Sequence, residues 1–147
     1  MHKPKVIAIA GILVIAVLLM LSAYKGKQAE TVPSRSLIDT VYVSNIPYKV
    51  FVAENYAEQV EGLMNYTNLS ADGIAGEIFV NVPSPSCFWM KNTPEPLTQA
   101  WIEGNTVSFV YNATPYSTNS ICSRGTTVLE LMKGIEINRN QTVRIIV

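Results

Sequence analysis

The stretch that most constrains the fold runs from Cys87 to Thr93, where two large aromatic residues and a methionine are followed at once by Lys, Asn and Thr. Pro94 then ends the element, because proline has no backbone N–H to donate to a continuing sheet. Apolar side chains beside a polar tip are typical of a strand that ends at the rim of a core. We therefore predict an aromatic strand over residues 87–91. Trp89 is expected in the core, although its ring could instead offer a stacking face to a sugar.

Short runs of alternating apolar and polar residues, separated by turn residues, make up most of the chain after residue 37. Such runs are typical of strands, and the Gly104-Asn105 dipeptide between two of them predicts a tight hairpin. The predicted strands are Ile38–Val43, Tyr48–Ala53, Ile74–Val82, Cys87–Lys91, Leu97–Glu103, Thr106–Tyr111, Thr127–Met132 and Gln141–Val147. The predicted fold class is therefore mainly β, a compact β-barrel or sandwich-like domain with one short helix.

That helix is predicted from Tyr56 to Met64. Asn55 followed by Glu58 resembles a capping box, in which each side chain accepts a hydrogen bond from the other residue's backbone. The residues expected on its buried face are Ala57, Val60, Leu63 and Met64. Segment 113–126, rich in Ser, Thr and Asn, is predicted to be a long surface loop, a kind of segment that often carries function.

The amino-terminal segment Val6–Tyr24 contains no charged residue and no proline. As a helix it would be about 28 Å long, close to the hydrocarbon thickness of a bilayer. A single transmembrane helix is therefore predicted within residues 1–25, with a cleaved signal segment or a buried soluble helix as the alternatives. Residues 26–37 are predicted to be a polar tether, and residues 38–147 the folded domain.

Basic residues are nearly balanced on the two sides of this segment, so they do not decide its orientation. Four acceptor patterns for N-glycosylation favour a domain outside the cytoplasm. These patterns begin at Asn65, Asn68, Asn112 and Asn140. We therefore predict a single-pass protein of the cell membrane with its domain facing outwards and glycosylation at these four asparagines.

Several kinds of catalysis lack the residues they need. The only histidine is His2, which excludes Ser-His-Asp and Cys-His catalysis and His-ligated zinc from the domain. There is no glycine-rich phosphate loop, and two cysteines cannot build a typical iron–sulfur cluster. Past residue 25, eight Lys and Arg face eleven Asp and Glu, so no nucleic-acid partner is expected. We predict neither a cofactor nor a metal site, which points away from an enzyme.

The two cysteines, Cys87 and Cys122, are first interpreted as a disulfide, because an even pair in an exported domain is usually oxidised. Two buried free thiols are the alternative if the domain is cytoplasmic. A bridge would join the aromatic strand to the polar segment that precedes Leu129.

Six consecutive residues, Phe88 to Thr93, resemble the hallmark of the DUF192 family, also called UPF0127. Further matches are Glu58 before Gly62-Leu63-Met64, Gly76–Phe79, Leu97, Val128–Leu131 and Gly134. The resemblance spans roughly residues 40 to 147 and implies a compact β-barrel-like domain, in a family whose biochemical role is unsettled. The chain departs from the family pattern at Gln59, Tyr66, Thr98 and Arg139-Asn140.

Three functions are consistent with these observations. The first is a non-catalytic binding module that contacts an envelope protein or glycan through Trp89, Lys91, Asn92, Thr93 and the loop between Tyr111 and Arg124. In the structural alternative, Asn92 and Thr93 only cap a turn before Pro94. The second is an accessory subunit of a membrane protein complex.

The third is an envelope polysaccharide hydrolase in which Glu130 acts as acid or base. Glu130 lies between Leu129 and Leu131 in a predicted strand, so its side chain is expected to face solvent. That expectation counts against catalysis. Glu58, Glu61 and Glu77 are the other candidate carboxylates for acid–base catalysis.

Overall fold

The computed structural model describes residues 37–146, which form a mainly β domain with one short helix. The helix, α1, runs from Tyr56 to Glu61. The strands are β1 (Ile38–Val43), β2 (Ile46–Ala53), β3 (Gly76–Val80), β4 (Ser86–Phe88), β5 (Leu97–Glu103), β6 (Thr106–Ala113), β7 (Ile121–Ser123), β8 (Thr127–Met132) and β9 (Val143–Ile146). The predicted anchor and nearly all of the predicted tether lie outside the described residues. Within residues 37–146, no helix has the length and apolar character that a membrane span requires.

Seven strands form one sheet in the order β6-β5-β8-β3-β2-β1-β9. β2 and β3 pair in parallel, and the other neighbours pair antiparallel. The sheet curls until the start of β6 meets the segment before β9, where the Val107 N–H donates to the Gln141 carbonyl at 2.9 Å. This curled half-barrel confirms the barrel-like, mainly β fold that the sequence predicts. β4 and β7 form a separate two-stranded ribbon.

Both faces of the curled sheet are covered. The inner face carries Val50, Val52, Ile78, Leu129 and Leu131, which belong to one buried cluster. The alternate residues of the same strands form the second face, which lies under α1, residues 62–74 and the β4–β7 ribbon. The buried residues of this second face and its cover are Phe51, Ala53, Leu63, Leu69, Ile74, Phe79, Val82, Met90, Leu97, Trp101, Ala113 and Val128. Consequently, a side chain on either face of a central strand is buried.

The predicted capping box is present, but α1 ends earlier than predicted. The Asn55 side chain accepts from the Glu58 N–H at 3.1 Å, and the Glu58 carboxylate accepts from the Asn55 N–H at 3.2 Å. The backbone N–H groups of Glu54 and Asn55 both donate to the Glu58 carboxylate and hold the pKa of Glu58 below its usual value. Gly62 adopts a positive φ of 49° and ends the helix after Glu61, three residues before the predicted end at Met64.

The predicted buried face of α1 is therefore wrong in part. Leu63 is buried, but Ala57 and Val60 are exposed, Val60 to 54%. A six-residue helix has fewer than two turns, so Leu63 and Met64 follow the chain beyond Gly62 instead of continuing the helical stripe.

Strands β2, β3, β6 and β9 differ from the prediction only at their ends, whereas two other elements differ more. The aromatic strand ends at Phe88, and the predicted loop 113–126 contains a strand, β7, that pairs with β4. Both strands are only three residues long, and they pair across a gap of 35 positions. Periodicity cannot reveal a strand of three residues, since its pattern is too short to distinguish from a loop.

Candidate functional site

The ribbon is fastened by a disulfide between Cys87 and Cys122, which lie opposite each other in the β4–β7 register with their Cα atoms 4.0 Å apart. The disulfide confirms the first interpretation of this pair over two free thiols. It holds β7 against β4 and fixes the point at which the chain leaves β4. Trp89 is the second residue after Cys87, so the disulfide also helps to fix the position of Trp89.

Trp89 is 43% exposed, so its predicted place in the core is wrong. The buried tryptophan is Trp101 on β5, which is fully covered and donates from its indole Nε1 to the Ser86 hydroxyl at 3.1 Å. Phe88 packs edge-on against Trp101, with ring centroids 5.8 Å apart. Because β4 ends at Phe88, the next side chain turns away from the core and towards the surface.

An apolar groove lies beside the exposed Trp89 ring. Its volume is about 410 Å³, within the range of small-molecule sites. The groove is lined by Tyr56, Gln59, Val60, Val82, Pro83, Pro85, Ser86, Cys87, Phe88 and Trp89. Tyr56 and Val60, both more than half exposed, form the α1 side of this Trp89 groove. Its other side is the disulfide-linked ribbon and the segment before it.

A smaller cavity, the Glu130 niche, adjoins the Trp89 groove. The two share Gln59, Val60, Phe88 and Trp89 as lining residues. The niche has a volume of about 30 Å³, enough for one or two water-sized groups. Thr93 and Glu130 also line it, together with Glu61, Gly62, Leu63, Met64 and Phe79. The groove and the niche are therefore neighbours, and a buried carboxyl group lines the niche.

Glu130 is 4% exposed, so the prediction of a solvent-facing side chain is wrong. The alternation along β8 is as predicted, with Leu129 and Leu131 on the inner face. The second face is covered rather than open, and this places the Glu130 carboxyl inside the protein. Gln99 on β5 donates to Glu130 Oε1 at 2.8 Å.

A row of buried polar residues crosses three neighbouring strands at this point. Gln99 on β5, Glu130 on β8 and Glu77 on β3 are register partners, so their side chains emerge side by side on the second face. All three are at most 4% exposed. Strands β3 and β8 approach closely here, because a Cβ added at Gly76 would lie 1.8 Å from the Glu130 carbonyl oxygen. Gly76 therefore allows the two carboxyl-bearing strands to pair.

Burial raises the pKa of Glu130 to about 7, and the hydrogen bond from Gln99 opposes that rise only in part. The folded protein therefore keeps the Glu130 proton at pH values well above 4.5, the ordinary pKa of a glutamate side chain. Below pH 4.5, Glu130 is protonated in both the folded and the unfolded protein, and its burial is fully tolerated. As the pH rises from 4.5 through the folded-state pKa of about 7, the free energy of unfolding falls, because the unfolded chain releases this proton more readily than the folded domain does. Ionised Glu130 is expected to cost about 3 kcal/mol at pH 8.

Replacing Glu130 with glutamine removes this titration and keeps an oxygen for Gln99. We expect the free energy of unfolding of Glu130→Gln, relative to wild type, to increase by about 3 kcal/mol between pH 4.5 and pH 8. Urea unfolding across this range measures the difference. Glu103→Gln, at an exposed position of β5, is the matched control and should follow wild type. Parallel pH profiles for all three proteins would contradict the buried position of Glu130.

Of the three polar residues 91–93, the last two lie in a turn and the first makes a contact at the surface. Asn92 has a positive φ of 55°, and its carbonyl accepts from the Asn65 N–H at 2.7 Å. Thr93 is 4% exposed, and its hydroxyl donates to the Lys91 carbonyl at 3.3 Å, as in the turn-capping alternative. The Lys91 ammonium lies 5.1 Å from the centre of the Trp89 ring. Thr93 thus faces the niche, while Lys91 and Trp89 remain at the surface.

The four predicted glycosylation acceptors, Asn65, Asn68, Asn112 and Asn140, are all exposed. The Asn112 side chain accepts a hydrogen bond from the Thr98 hydroxyl at 3.1 Å. Modification of these residues stays a prediction. Within the part of the chain that the structure describes, no three His, Cys, Asp or Glu residues are grouped as a metal site would require.

The family resemblance holds along almost the whole domain. The sequence profile of DUF192, described as an uncharacterized ACR, matches residues 40–144. The chain belongs to the DUF192 family. In this DUF192 domain, motifs far apart in the sequence meet at the Glu130 niche, to which Gly62-Leu63-Met64, Phe88-Trp89, Thr93 and Glu130 all contribute.

Two crystal structures are similar to this DUF192 domain. One is a protein of unknown function from Novosphingobium aromaticivorans, with 30% identity, a TM-score of 0.65, and coverage of 76% of this chain and 89% of the other. The second is a candidate transcription regulator from Sinorhizobium meliloti, with 24% identity and a TM-score of 0.62, covering 74% of this chain and 94% of that one. The second likeness concerns the fold alone. No curated protein matches the sequence.

Sequence reasoning did not identify Tyr56, Gln59, Val60 and Gln99 as parts of this site. Gln99 offered a signal, because a glutamine lies directly before the apolar run 100–102 in the strand Leu97–Glu103, and a polar side chain buried there needs a hydrogen-bond partner. The groove residues of α1 offered none, since their exposure depends on where the helix ends.

Proposed function

We propose that this DUF192 chain is a membrane-anchored, extracytoplasmic and non-catalytic binding module of the cell envelope. Residues 1–25 would be the anchor, residues 26–37 the tether and residues 38–147 the binding domain. The single-pass chain holds the domain outside the cytoplasm, within reach of an envelope protein or glycan. The apolar, uncharged segment Val6–Tyr24 and the four exposed glycosylation acceptors support this arrangement.

The observation that carries the binding role is the Trp89 groove. A tryptophan that is 43% exposed, next to an 83% exposed Tyr56 and an open apolar cavity, forms a surface whose contact with water is unfavourable. Partly exposed aromatic residues of this kind frequently anchor ligands. Of the predicted contacts, Trp89 lines the groove, Thr93 lines the niche, and Lys91 and Asn92 lie exposed at the rim.

The test compares full-length protein in detergent micelles with its Trp89→Ala variant on an array of envelope glycans and peptides. Loss of the Trp89 ring should weaken binding at least tenfold, because truncation of an aromatic residue that anchors a ligand commonly costs about 2 kcal/mol or more. Ile46→Ala, at a 55% exposed position in the β1–β2 hairpin, is the matched control and should bind as wild type does. Equal binding by all three proteins would reject the groove as the contact surface.

The buried carboxyl in the niche beside the groove favours a second candidate, an envelope polysaccharide hydrolase that uses Glu130 as general acid. The pKa of about 7 suits a carboxylic acid that stays protonated near neutral pH, and Glu77 lies beside it in register. Hydrolysis of envelope polysaccharide by wild type, abolished in Glu130→Gln, would establish this activity. Equal hydrolysis by the two proteins, or none by wild type, rejects it.

A further inference from the structure

We propose that the ligand of the Trp89 groove carries a primary ammonium group on an apolar stem, and that this group enters the Glu130 niche and pairs with the Glu130 carboxylate. The inference rests on the proposed binding role of the groove and names the chemical class of the ligand. It assigns Glu130 a role in recognition rather than in hydrolysis.

The sizes of the two cavities support a ligand of this shape. The groove, at about 410 Å³, accommodates an apolar body, whereas the niche, at about 30 Å³, accommodates only one or two water-sized groups. The two share four lining residues and are therefore neighbours, and we place the stem of one ligand in the groove and its head in the niche. A primary ammonium is about as large as a water molecule, and it therefore fits the niche at the end of a stem that fills the groove.

The charges around the niche select a cation. Gln99 on β5 and Glu77 on β3 flank Glu130 as its register partners, and Glu61, at the end of α1, lines the same niche. None of the described residues that line the groove or the niche is Lys or Arg, although the Lys91 ammonium lies over the Trp89 ring at the rim. An ammonium would offset the unfavourable burial of an ionised Glu130, whereas an anionic ligand would increase it.

The aromatic walls favour the same charge. Trp89 and Phe88 line both cavities, and the negative faces of aromatic rings attract cations within about 6 Å. Lys91 already occupies such a position, 5.1 Å from the centre of the Trp89 ring. An ammonium that passes along this wall exchanges its hydration for ring contacts before it reaches Glu130.

The test compares 2-phenylethylamine with 2-phenylethanol, which has a neutral hydroxyl in place of the ammonium. Isothermal titration of the full-length protein in micelles at pH 8 should give the amine a dissociation constant about tenfold to a hundredfold lower than that of the alcohol. In Glu130→Gln this advantage should disappear. In wild type it should also shrink as the pH falls from 8 to 5, because Glu130 becomes protonated.

Each outcome decides a separate point. Equal affinities of the two probes, both weakened by Trp89→Ala, would overturn the ammonium inference and leave the groove as a binding site. An amine advantage that persists in Glu130→Gln would overturn the role of Glu130. If neither probe binds wild type, the ammonium inference fails, and the glycan and peptide array then decides the binding role by itself.

Discussion

Replacing Trp101 with alanine is expected to lower the free energy of unfolding by about 3–5 kcal/mol, enough to unfold a marginally stable domain. The side chain is fully buried and is among the largest in the core. Its ring contacts Phe88 on the ribbon and Phe109 on β6, with centroids 5.8 and 5.5 Å away. Its Nε1 also donates to the Ser86 hydroxyl, so truncation removes both the packing and the polar link between sheet and ribbon.

Trp89→Ala is the matched control for this experiment, since the chain contains two tryptophans and only one is buried. Truncation of the 43% exposed Trp89 should cost less than about 1 kcal/mol. Urea unfolding followed by circular dichroism measures both variants. The fluorescence of each variant then reports on the remaining tryptophan, which should emit at longer wavelength when Trp89 remains. Equal stabilities for the two variants would contradict the assignment of core and surface.

The double variant Cys87→Ala/Cys122→Ala is expected to lose roughly 3–4 kcal/mol of stability, because the bridge closes a loop in the unfolded chain. The two cysteines are 35 positions apart, which sets the size of that loop. The effect should extend to binding, since β4 and β7 are three-residue strands and the bridge fastens them together. Without it, the ribbon side of the Trp89 groove should loosen.

Reduction of the wild-type protein provides the control for this variant. Added dithiothreitol should lower the stability of wild type by a similar amount and should leave the double variant unchanged. Urea unfolding with and without the reductant measures both effects. A double variant as stable as oxidised wild type would show that the packing of Phe88 and the hydrogen bond between Trp101 and Ser86 hold the ribbon without the bridge.

Much of the sheet was predictable because its signals are local. β1 and β8 have the predicted bounds, and the β5–β6 hairpin follows from the Gly104-Asn105 turn. The capping box at Asn55 is equally local, since both of its partners lie within three residues. Each of these elements depends on side chains that are neighbours in sequence.

The site was not predictable in the same way, because a second layer decides which residues are buried. Glu130 shows the ordinary alternation of a half-exposed strand, yet the cover formed by α1 and the ribbon places its carboxyl inside. For Trp89 the error is the opposite one. Its apolar neighbours in the sequence predict a buried ring, but β4 ends at Phe88 and the Trp89 ring is left exposed. Both depend on contacts between distant segments.

The pairing of β1 with β9 determines when the domain can finish folding. Thr40 lies opposite Ile146, about a hundred positions further along the chain. During synthesis, the outer edge of β1 therefore keeps its backbone groups unpaired until the last strand has emerged. Sheets that depend on such distant pairings fold slowly and expose apolar surface in the meantime. A chain built in this way is therefore exposed to aggregation between the appearance of its first strand and that of its last.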